Sequence, residues 1–235
     1  MYVFLGVVFL IVLLICFFVI LPSKKMRNIY PLVLMMGKKG CGKSTTIAKL
    51  VTRHIKNGWT CYSTSYCSGC FKVSPDQVGR VELPDINNNG KTVLFVDEIN
   101  LLWDNRDFKS FPAYMKEWLI QMRKHHVKCY MFSQTYTCDK KIRDLADEIY
   151  LLSKVANVFT YGKKVKKFLT IRNSEMSENG SDITEGMEFE KFFVPRSRFI
   201  TYIPKYVKMF NTDEINHPLE KVDFQLWDSF GAEEN

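Results

Sequence analysis

The length and composition of the chain suit one α/β domain with additional segments at its ends. It has 235 residues, of which 46% are hydrophobic, enough to bury a sizeable core. Its seven cysteines are an odd number, and Cys16 and Cys41 fall in an apolar terminus and in a glycine-rich loop. This pattern excludes a small secreted scaffold built on disulfides and indicates a reducing compartment.

The net charge of +8 is unevenly distributed. Residues 213–235 carry seven acids and one base, a balance of −6, so residues 1–212 carry +14. A basic body attracts nucleic acid or anionic lipid, and part of this charge follows the apolar N-terminus directly. We therefore expect a basic main domain and an exposed acidic tail at 213–235, in which Phe224, Leu226 and Trp227 form a candidate docking patch.

The first 21 residues predict a transmembrane helix. They contain no charged side chain, and seventeen of them are Val, Leu, Ile or Phe. Insertion of such a segment is favoured by roughly 5 to 10 kcal/mol, and its length just spans the hydrocarbon core. Lys24, Lys25 and Arg27 lie in a basic linker at 22–30, so the positive-inside rule places the rest of the chain in the cytoplasm. A cleaved signal peptide is the alternative, but no basic residue precedes the apolar run and no small-x-small site follows it.

A glycine-rich loop joins a predicted strand at 30–36 to a predicted helix at 44–56. Its sequence fits the P-loop pattern G-x-x-x-x-G-K-[ST], in which backbone amides point inward at a helix N-terminus and favour phosphate. Lys43 is predicted to reach the β- and γ-phosphates of ATP, and Ser44 to bind Mg²⁺. A glycine turn that binds nothing is the alternative. The predicted nucleotide-binding residues are Gly37, Lys38, Lys39, Gly40, Cys41, Gly42, Lys43, Ser44 and Thr45.

Three cysteines lie in and just after the next predicted strand, Trp59–Tyr66. They are Cys61, Cys67 and Cys70, of which the last two form a C-x-x-C pair. A zinc site needs a fourth ligand, and His54 is the one further candidate nearby in sequence. The sequence leaves a metal site and free thiols in a surface loop both open.

A second motif follows the apolar run Thr92–Val96, which is typical of a buried parallel strand. The run ends in Asp97 and Glu98, the Walker B pattern. Asp97 is predicted to hold Mg²⁺ beside the P-loop, and Glu98 to orient and deprotonate the attacking water. The alternative is an ordinary strand end with two solvated acids.

A third motif stands at the end of the next predicted strand, Val127–Phe132. Gln134 follows that strand, and its amide can donate to a phosphate and accept from water, which suits a sensor of the γ-phosphate. A loop glutamine is the alternative. The helix predicted before this strand, Lys109–His126, has an apolar face that we assign to the core.

The C-terminal half combines basic, flexible and aromatic segments. Residues 148–153 and 168–172 are predicted strands around a basic hairpin, which is a candidate phosphate contact or a solvated loop. Residues 173–186 are predicted to be a flexible loop, and 189–206 to form one or two strands. The hairpin lysines are Lys163, Lys164, Lys166 and Lys167.

With the three motifs in this order, the chain resembles the FtsK/HerA side of the P-loop ATPases. Within that group it is similar to the zonula occludens toxin family, the assembly ATPases of filamentous phages, over residues 32–212. Three weaker similarities are Arg106 after the acid pair, the segment 140–145, and the segment 206–212, which ends that family's cytoplasmic domain. The chain differs in that its apolar segment precedes the ATPase domain, and in that Asn211 replaces an Asp.

The resemblance implies a RecA-like fold over residues 31–212, with a mostly parallel sheet flanked by helices, and hydrolysis of ATP with Mg²⁺. It also implies virion assembly and extrusion at the host inner membrane, with phage coat or assembly proteins and phage DNA or its protein complex as partners. The active form would be a homo-oligomeric ring in which a neighbour's arginine completes each site. Arg106 and Arg123 are both candidates. Contact with an outer-membrane channel and toxin activity are not implied.

Two rival functions remain open on the sequence. The first is a DNA translocase for packaging or conjugation, with the basic hairpin as its DNA contact. The second is a membrane-tethered switch that binds ATP without turnover. A small-molecule kinase is disfavoured because the sequence shows no lid-like arginine cluster.

Overall fold

Helices are interspersed between strands along the chain as far as residue 148, and antiparallel strands follow. A computed structural model describes residues 2–15, 28–81, 91–103, 112–134, 138, 140–173 and 181–210. The helices are α1 (Tyr2–Ile15), α2 (Lys43–Lys56), α3 (Pro75–Gly79), α4 (Ile99–Leu102), α5 (Ala113–Gln121) and α6 (Lys140–Leu145), and 3-10 turns cover Ile203–Lys205 and Val207–Met209. The strands are β1 (Leu32–Met36), β2 (Thr60–Ser63), β3 (Phe71–Lys72), β4 (Thr92–Val96), β5 (Val127–Ser133), β6 (Glu148–Val155), β7 (Phe159–Asn173), β8 (Ser181–Phe189) and β9 (Arg198–Tyr202).

All these strands join one sheet in the order β3-β2-β4-β5-β1-β6-β7-β8, and β9 also pairs with β7. Pairing is parallel from β3 to β6 and antiparallel from β6 onward. The predicted α/β class with a mostly parallel sheet is therefore confirmed. Because β4, β5 and β1 are neighbours and run in the same direction, their C-terminal ends meet at one edge of the sheet.

The centre of the sheet is buried on both faces. Every residue of β1 and β4 is buried, as expected for parallel strands that carry continuous apolar runs. On one face, Leu34 and Leu94 pack with the α5 residue Met115. On the other, Val33 and Phe95 pack with the apolar stripe of α2, which includes Ile47. This packing holds α2 against one face of the sheet, with its first residue, Lys43, close to Gly37 at the end of β1.

The antiparallel part of the sheet departs from the sequence prediction. β7 is one strand of fifteen residues, so the four hairpin lysines lie within a strand and the turn lies before them at 156–158. The predicted flexible loop 173–186 is wrong over 181–186, which belongs to β8. Residues 181–186 pair with β7 in an antiparallel ladder. Such pairing joins backbone groups, so it does not require a high content of apolar side chains. Residues 174–180 lie outside the described residues.

The helix predicted before β5 is shorter in the structure. The helix predicted over 109–126 is described as Ala113–Gln121, residues 104–111 lie outside the described ranges, and 122–126 form turns. His126 has a φ of 55°, which a regular helix does not permit. The helix therefore ends before β5 begins.

The N-terminal helix α1 contains fourteen residues, and the side chains of residues 4–14 are exposed. Within the described ranges, no helix combines the length and the hydropathy that crossing a membrane requires. Residues 16–21, which complete the predicted span, lie outside those ranges.

Candidate active site

The glycine loop places a buried lysine at the start of a long helix. Gly42, with a φ of 93°, precedes Lys43, the first residue of α2. The Lys43 side chain is 8% exposed, and its Nζ donates to the Gly37 carbonyl oxygen at 3.1 Å. The first turn of α2 contains no acidic residue, so none of its own side chains offsets the positive end of the helix dipole. This arrangement suits a bound phosphate group.

A threonine of β7, in the antiparallel part of the sheet, contacts the glycine loop and stabilises it. The sequence did not predict this contact. Thr160 is fully buried, and its Oγ1 donates to the Cys41 carbonyl oxygen at 2.9 Å. A β-carbon built on Gly42 would lie 1.9 Å from Thr160 Oγ1. No local motif marks Thr160, because its position depends on the register of the hairpin against β6. The loop conformation is therefore held partly by a residue more than a hundred positions away.

Gly42→Ala is expected to disrupt the loop, and Gly40→Ala is its matched control. Both glycines have a positive φ, which costs an alanine about 1 to 2 kcal/mol. Only the β-carbon on Gly42 meets another atom, since nothing lies within 4 Å of the one built on Gly40. We expect Gly42→Ala to weaken ATP binding more than about tenfold beyond Gly40→Ala. Isothermal titration of both variants measures the difference, and equal affinities would contradict the role given to Thr160.

The acid pair at the end of β4 lies beside this loop. The Asp97 N–H donates to Thr64 Oγ1 at 2.9 Å, and the Glu98 N–H donates to Asp97 Oδ1 at 3.0 Å. Glu98 has a φ of 51°, a left-handed conformation that is unfavourable for glutamate. Such strain persists where surrounding contacts enforce it, and it is concentrated at functional sites. Here it turns the chain sharply from β4 into α4.

The Asp97 carboxyl is held in an environment that favours its protonated form. Burial and the nearby Glu98 charge raise the pKa of Asp97 to about 6, although the Lys43 ammonium opposes the shift. The influence of Lys43 shows that the loop lysine and the acid pair share one site. A site with this excess of negative charge suits a cation.

Asp97→Asn is expected to stabilise the protein while removing a ligand for Mg²⁺. Since the pKa of Asp97 is raised on folding, its contribution to stability is full below pH 4 and is lost as the pH rises through 6. Asparagine resembles the protonated acid, so the variant should gain up to about 3 kcal/mol at pH 8 and little at pH 4. Urea unfolding at both pH values measures this gain. A pH-independent difference, or an equal gain from the exposed Asp76→Asn, would contradict it.

Gln134 completes the cluster from the end of the neighbouring strand. Its Nε2 donates to Glu98 Oε1 at 2.5 Å. The preceding Ser133 donates from Oγ to Asn100 Oδ1 at 2.9 Å, and its carbonyl oxygen accepts from the Gly37 N–H at 3.0 Å. The ends of β1, β4 and β5 are thus tied together. The structure brings Lys43, the acid pair and Gln134 into one place.

The remaining nucleotide-binding residues surround the start of α2. The hydroxyls of Thr45 and Thr46 both donate to the Gly42 carbonyl oxygen at 2.8 Å, which stabilises the first turn. Ser44 is half-buried there. Lys38 and Lys39 are exposed on the outer side of the loop. Lysine charges on the rim of the loop raise the local positive potential where phosphate would bind.

The two candidate arginines differ in what the structure describes. Arg123 is exposed just after α5. It lies about eighty positions after the glycine loop in the sequence. Arg106 lies outside the described residues. The docking-patch residues Phe224, Leu226 and Trp227 also lie outside them. The role of Arg123 in completing the site of a neighbouring chain stays a prediction.

The hairpin lysines do not form a uniform positive patch. Lys164 pairs with Glu148 at 3.1 Å, and Lys167 pairs with Asp144 at 3.3 Å. Lys163 lies over the Phe189 ring, 5.1 Å from its centroid. Two of the four charges are therefore balanced by carboxylates, which weakens the case for a nucleic-acid contact here.

The cysteines form a thiol cluster in the core. Cys70 lies within hydrogen-bonding reach of Cys61 and Cys67, and all three are free thiols, of which Cys61 and Cys67 have buried side chains. Burial lowers the pKa of His54 to about 3, and its ring packs against Trp59 in the core. Among the described residues, no group of three or more ligating side chains is arranged to hold a metal ion.

The chain is similar to several proteins of known structure. It is similar to the N-terminal domain of zonular occludens toxin from Neisseria meningitidis, with 14% identity over 77% of this chain and 99% of that one, and a TM-score of 0.47. The DNA-packaging ATPase B204 from Sulfolobus turreted icosahedral virus shows 17% identity over 56% and 80% of the two chains, with a TM-score of 0.43. The flagellar accessory protein FlaH from Methanocaldococcus jannaschii shows 11% identity over 60% and 82%, with a TM-score of 0.42. The first of these proteins bears the name of the family that the sequence motifs resemble.

A match to a family profile shows the family to which the chain belongs. No curated protein sequence matches the chain significantly. The profile of the ATPase family associated with various cellular activities (AAA) matches residues 33–154, slightly more than half of the chain. This match includes the glycine loop, the acid pair and Gln134, the residues that the structure brings together. The chain therefore belongs to the AAA family of P-loop ATPases.

Proposed function

We propose that this chain hydrolyses ATP to drive the assembly and extrusion of filamentous-phage virions at the host inner membrane. The observation that supports turnover most strongly is the contact between Gln134 and Glu98 beside the buried Lys43. A carboxylate and an amide in contact at the phosphate-binding end of a sheet can position a water molecule and respond to the γ-phosphate. A glycine turn without a ligand would need neither.

Each residue has a distinct role in this mechanism. Lys43 and the loop amides stabilise the charge that develops on the transferred phosphoryl group. Glu98 orients the attacking water and accepts its proton, and the water attacks in line with the departing ADP oxygen. Gln134 holds Glu98 in place and registers the γ-phosphate. The products are ADP and inorganic phosphate.

The residues at the site also fit a magnesium ion. Mg²⁺ prefers oxygen donors and keeps several of its waters, so a hydroxyl and a carboxylate suffice as protein ligands. Ser44 and Asp97 supply these groups, and a cation beside Asp97 would favour the charged form of a carboxylate whose pKa is raised by burial and by Glu98. The ion would neutralise charge on the β- and γ-phosphates.

Membrane attachment is part of the proposal. The side chains of residues 4–14 of α1 are exposed although they are apolar, with Phe4 75% and Phe9 68% exposed. Exposed apolar surface of this extent marks a contact with lipid or protein. We propose that residues 1–21 anchor the chain, with the ATPase domain in the cytoplasm and bound to the same domain of neighbouring chains in a ring. Extraction of cell membranes at high pH tests this, since a chain released into the supernatant would not be anchored.

The role in virion assembly predicts a specific defect in cells that produce phage. When Glu98→Gln replaces the wild-type chain, we expect virions in the medium to fall by more than about a hundredfold, in line with the loss of a catalytic base. Phage genome copies inside the cells should not fall. If phage genome copies inside the cells fell as much as virions in the medium, the defect would lie in replication and not in assembly. Normal virion release would also contradict the proposal.

The rival translocase receives less support from the structure. Its DNA contact would be the β7 lysines, and two of them are already paired with carboxylates. A DNA-stimulated ATPase activity that disappears when the exposed Lys166 is replaced by Glu would favour it nonetheless.

A further inference from the structure

The turn between β8 and β9 carries the most exposed aromatic side chains among the described residues outside α1. Phe193 is 93% exposed and Phe192 is 69% exposed. We call residues 190–197 the aromatic turn. We propose that the aromatic turn inserts its two phenyl rings into a bilayer that contains anionic lipid. This inference rests on the proposed membrane attachment and adds to it a second contact with lipid.

Hydrogen bonds hold the aromatic turn in a defined shape. The Val194 N–H donates to the Lys191 carbonyl oxygen at 3.2 Å, and the Ser197 N–H donates to the Val194 carbonyl oxygen at 3.0 Å. The N–H of Lys164 on β7 donates to the Ser197 carbonyl oxygen at 2.7 Å, which ties the turn to the sheet. Arg196 has a φ of 64°, an unfavourable conformation for arginine that such contacts enforce. The two rings are therefore presented by an ordered backbone.

The surroundings of the two rings are basic. Residues 191–212 contain five basic residues and no acid. Lys191 and Arg196 are exposed on either side of the rings in sequence, while Glu190 before them is half-buried. Apolar rings that protrude between cations match a bilayer surface, where acyl chains lie beneath negatively charged headgroups. Insertion would remove the rings from water while the cations stay at the headgroups.

Two other occupants fit the aromatic turn less well. A nucleic-acid base stacks on an open ring face. The Arg198 guanidinium already lies over the Phe192 ring, 5.1 Å from its centroid, and the Phe193 ring meets that ring at 90°. A second copy of the chain would bring like charges together, since residues 1–212 carry +14. An anionic bilayer supplies both the opposite charge and an apolar interior.

The proposed anchor keeps the aromatic turn close to a bilayer. The linker 22–30 has nine residues and spans at most about 30 Å. With residues 1–21 in the membrane, the domain stays near the membrane surface, so that even a weak contact is occupied for much of the time. A second point of attachment would also limit the orientations that the domain adopts at the membrane.

The test places a fluorescent reporter in the aromatic turn of the full chain. Phe193→Trp is compared with the wild type in vesicles of phosphatidylcholine and phosphatidylglycerol, with and without bromine on the acyl chains. Bromine should lower the emission added by this variant about twofold, because a ring about 5 to 10 Å below the surface meets the bromine atoms. Phe71→Trp is the matched control, since Phe71 is 62% exposed on β3 at the opposite end of the sheet. Bromine should not change the emission that it adds.

Charge variants in the Phe193→Trp background test the part played by anionic lipid. Replacement of both Lys191 and Arg196 by Glu should abolish the quenching, because the turn would then be repelled by phosphatidylglycerol. Replacement of the exposed Lys56 and Lys72 by Glu changes the net charge equally and should leave the quenching unchanged.

Three results would overturn the proposal. The first is the absence of quenching in Phe193→Trp, or equal quenching in Phe71→Trp. The second is a blue shift of the added emission that depends on protein concentration and not on lipid, which would assign the turn to a contact between copies. The third is quenching by a single-stranded oligonucleotide and not by brominated lipid, which would assign it to nucleic acid.

Flotation of the same vesicles at high pH tests the anchor separately. A chain that floats without quenching would overturn the contact of the aromatic turn and leave the proposed anchor standing. A chain that is quenched at neutral pH but released from the vesicles at high pH would overturn the anchor alone.

Discussion

Glu98→Gln is expected to lower ATP turnover by about 10² to 10⁴-fold while ATP still binds. Glutamine keeps the size of the side chain and can still contact Gln134, but it cannot accept a proton from the attacking water. The binding residues, Lys43 and the loop amides, are not altered. Phosphate release by the purified chain measures turnover, and isothermal titration measures binding.

The control for this prediction is Glu117→Gln, an exposed acid on α5 that accepts from Gln121 Nε2 at 3.1 Å. It removes the same charge at a distance from the strand ends, so turnover should stay within about twofold of wild type. If the wild type were as inactive as Glu98→Gln, the chain would be a switch that binds ATP without hydrolysing it. That result would exclude the hypothesis that the chain hydrolyses ATP.

Lys43→Ala is expected to abolish measurable ATP binding and with it turnover. The Lys43 side chain is buried among loop atoms, where a charge acts on phosphate through less water than on a surface. Removal of one donor that stabilises charge in such a site costs about 10² to 10³ in rate, and here the ground-state phosphates lose the same partner. Fluorescence titration with a labelled ATP analogue measures the affinity.

Lys56→Ala serves as its control, since Lys56 is exposed at the far end of the same helix. Both variants remove one positive charge from α2. An equal loss of affinity in the two would mean that net charge and not the loop geometry attracts ATP. Unchanged binding in Lys43→Ala would show that the loop does not hold the phosphates.

The residues that the sequence predicted to lie close together belong to short local motifs. The glycine loop, the acid pair after Thr92–Val96 and Gln134 after Ser133 each follow an apolar strand, so the parallel sheet alone brings them to one edge. Their proximity could be predicted because it follows from strand direction and needs no knowledge of side-chain packing. Their roles in ATP hydrolysis stay predictions until they are measured.

What the sequence did not predict depends on long-range pairing. Thr160 reaches the glycine loop only because β7 pairs with β6 in a register that sets Lys154 opposite Thr160. Lys164 and Lys167 look like a free basic cluster in sequence, whereas the fold places them beside Glu148 and Asp144. Antiparallel register depends on the whole face that a strand buries, so single residues carry little sign of it.

The most direct test of the account is a structure of the Glu98→Gln variant with ATP and Mg²⁺ bound. We expect the γ-phosphate within hydrogen-bonding distance of Lys43 Nζ and Gln134 Nε2, and Mg²⁺ bound by Ser44 and Asp97. ATP bound elsewhere, or phosphates that contact neither Lys43 nor Gln134, would contradict the assignment of this strand edge as the site of hydrolysis.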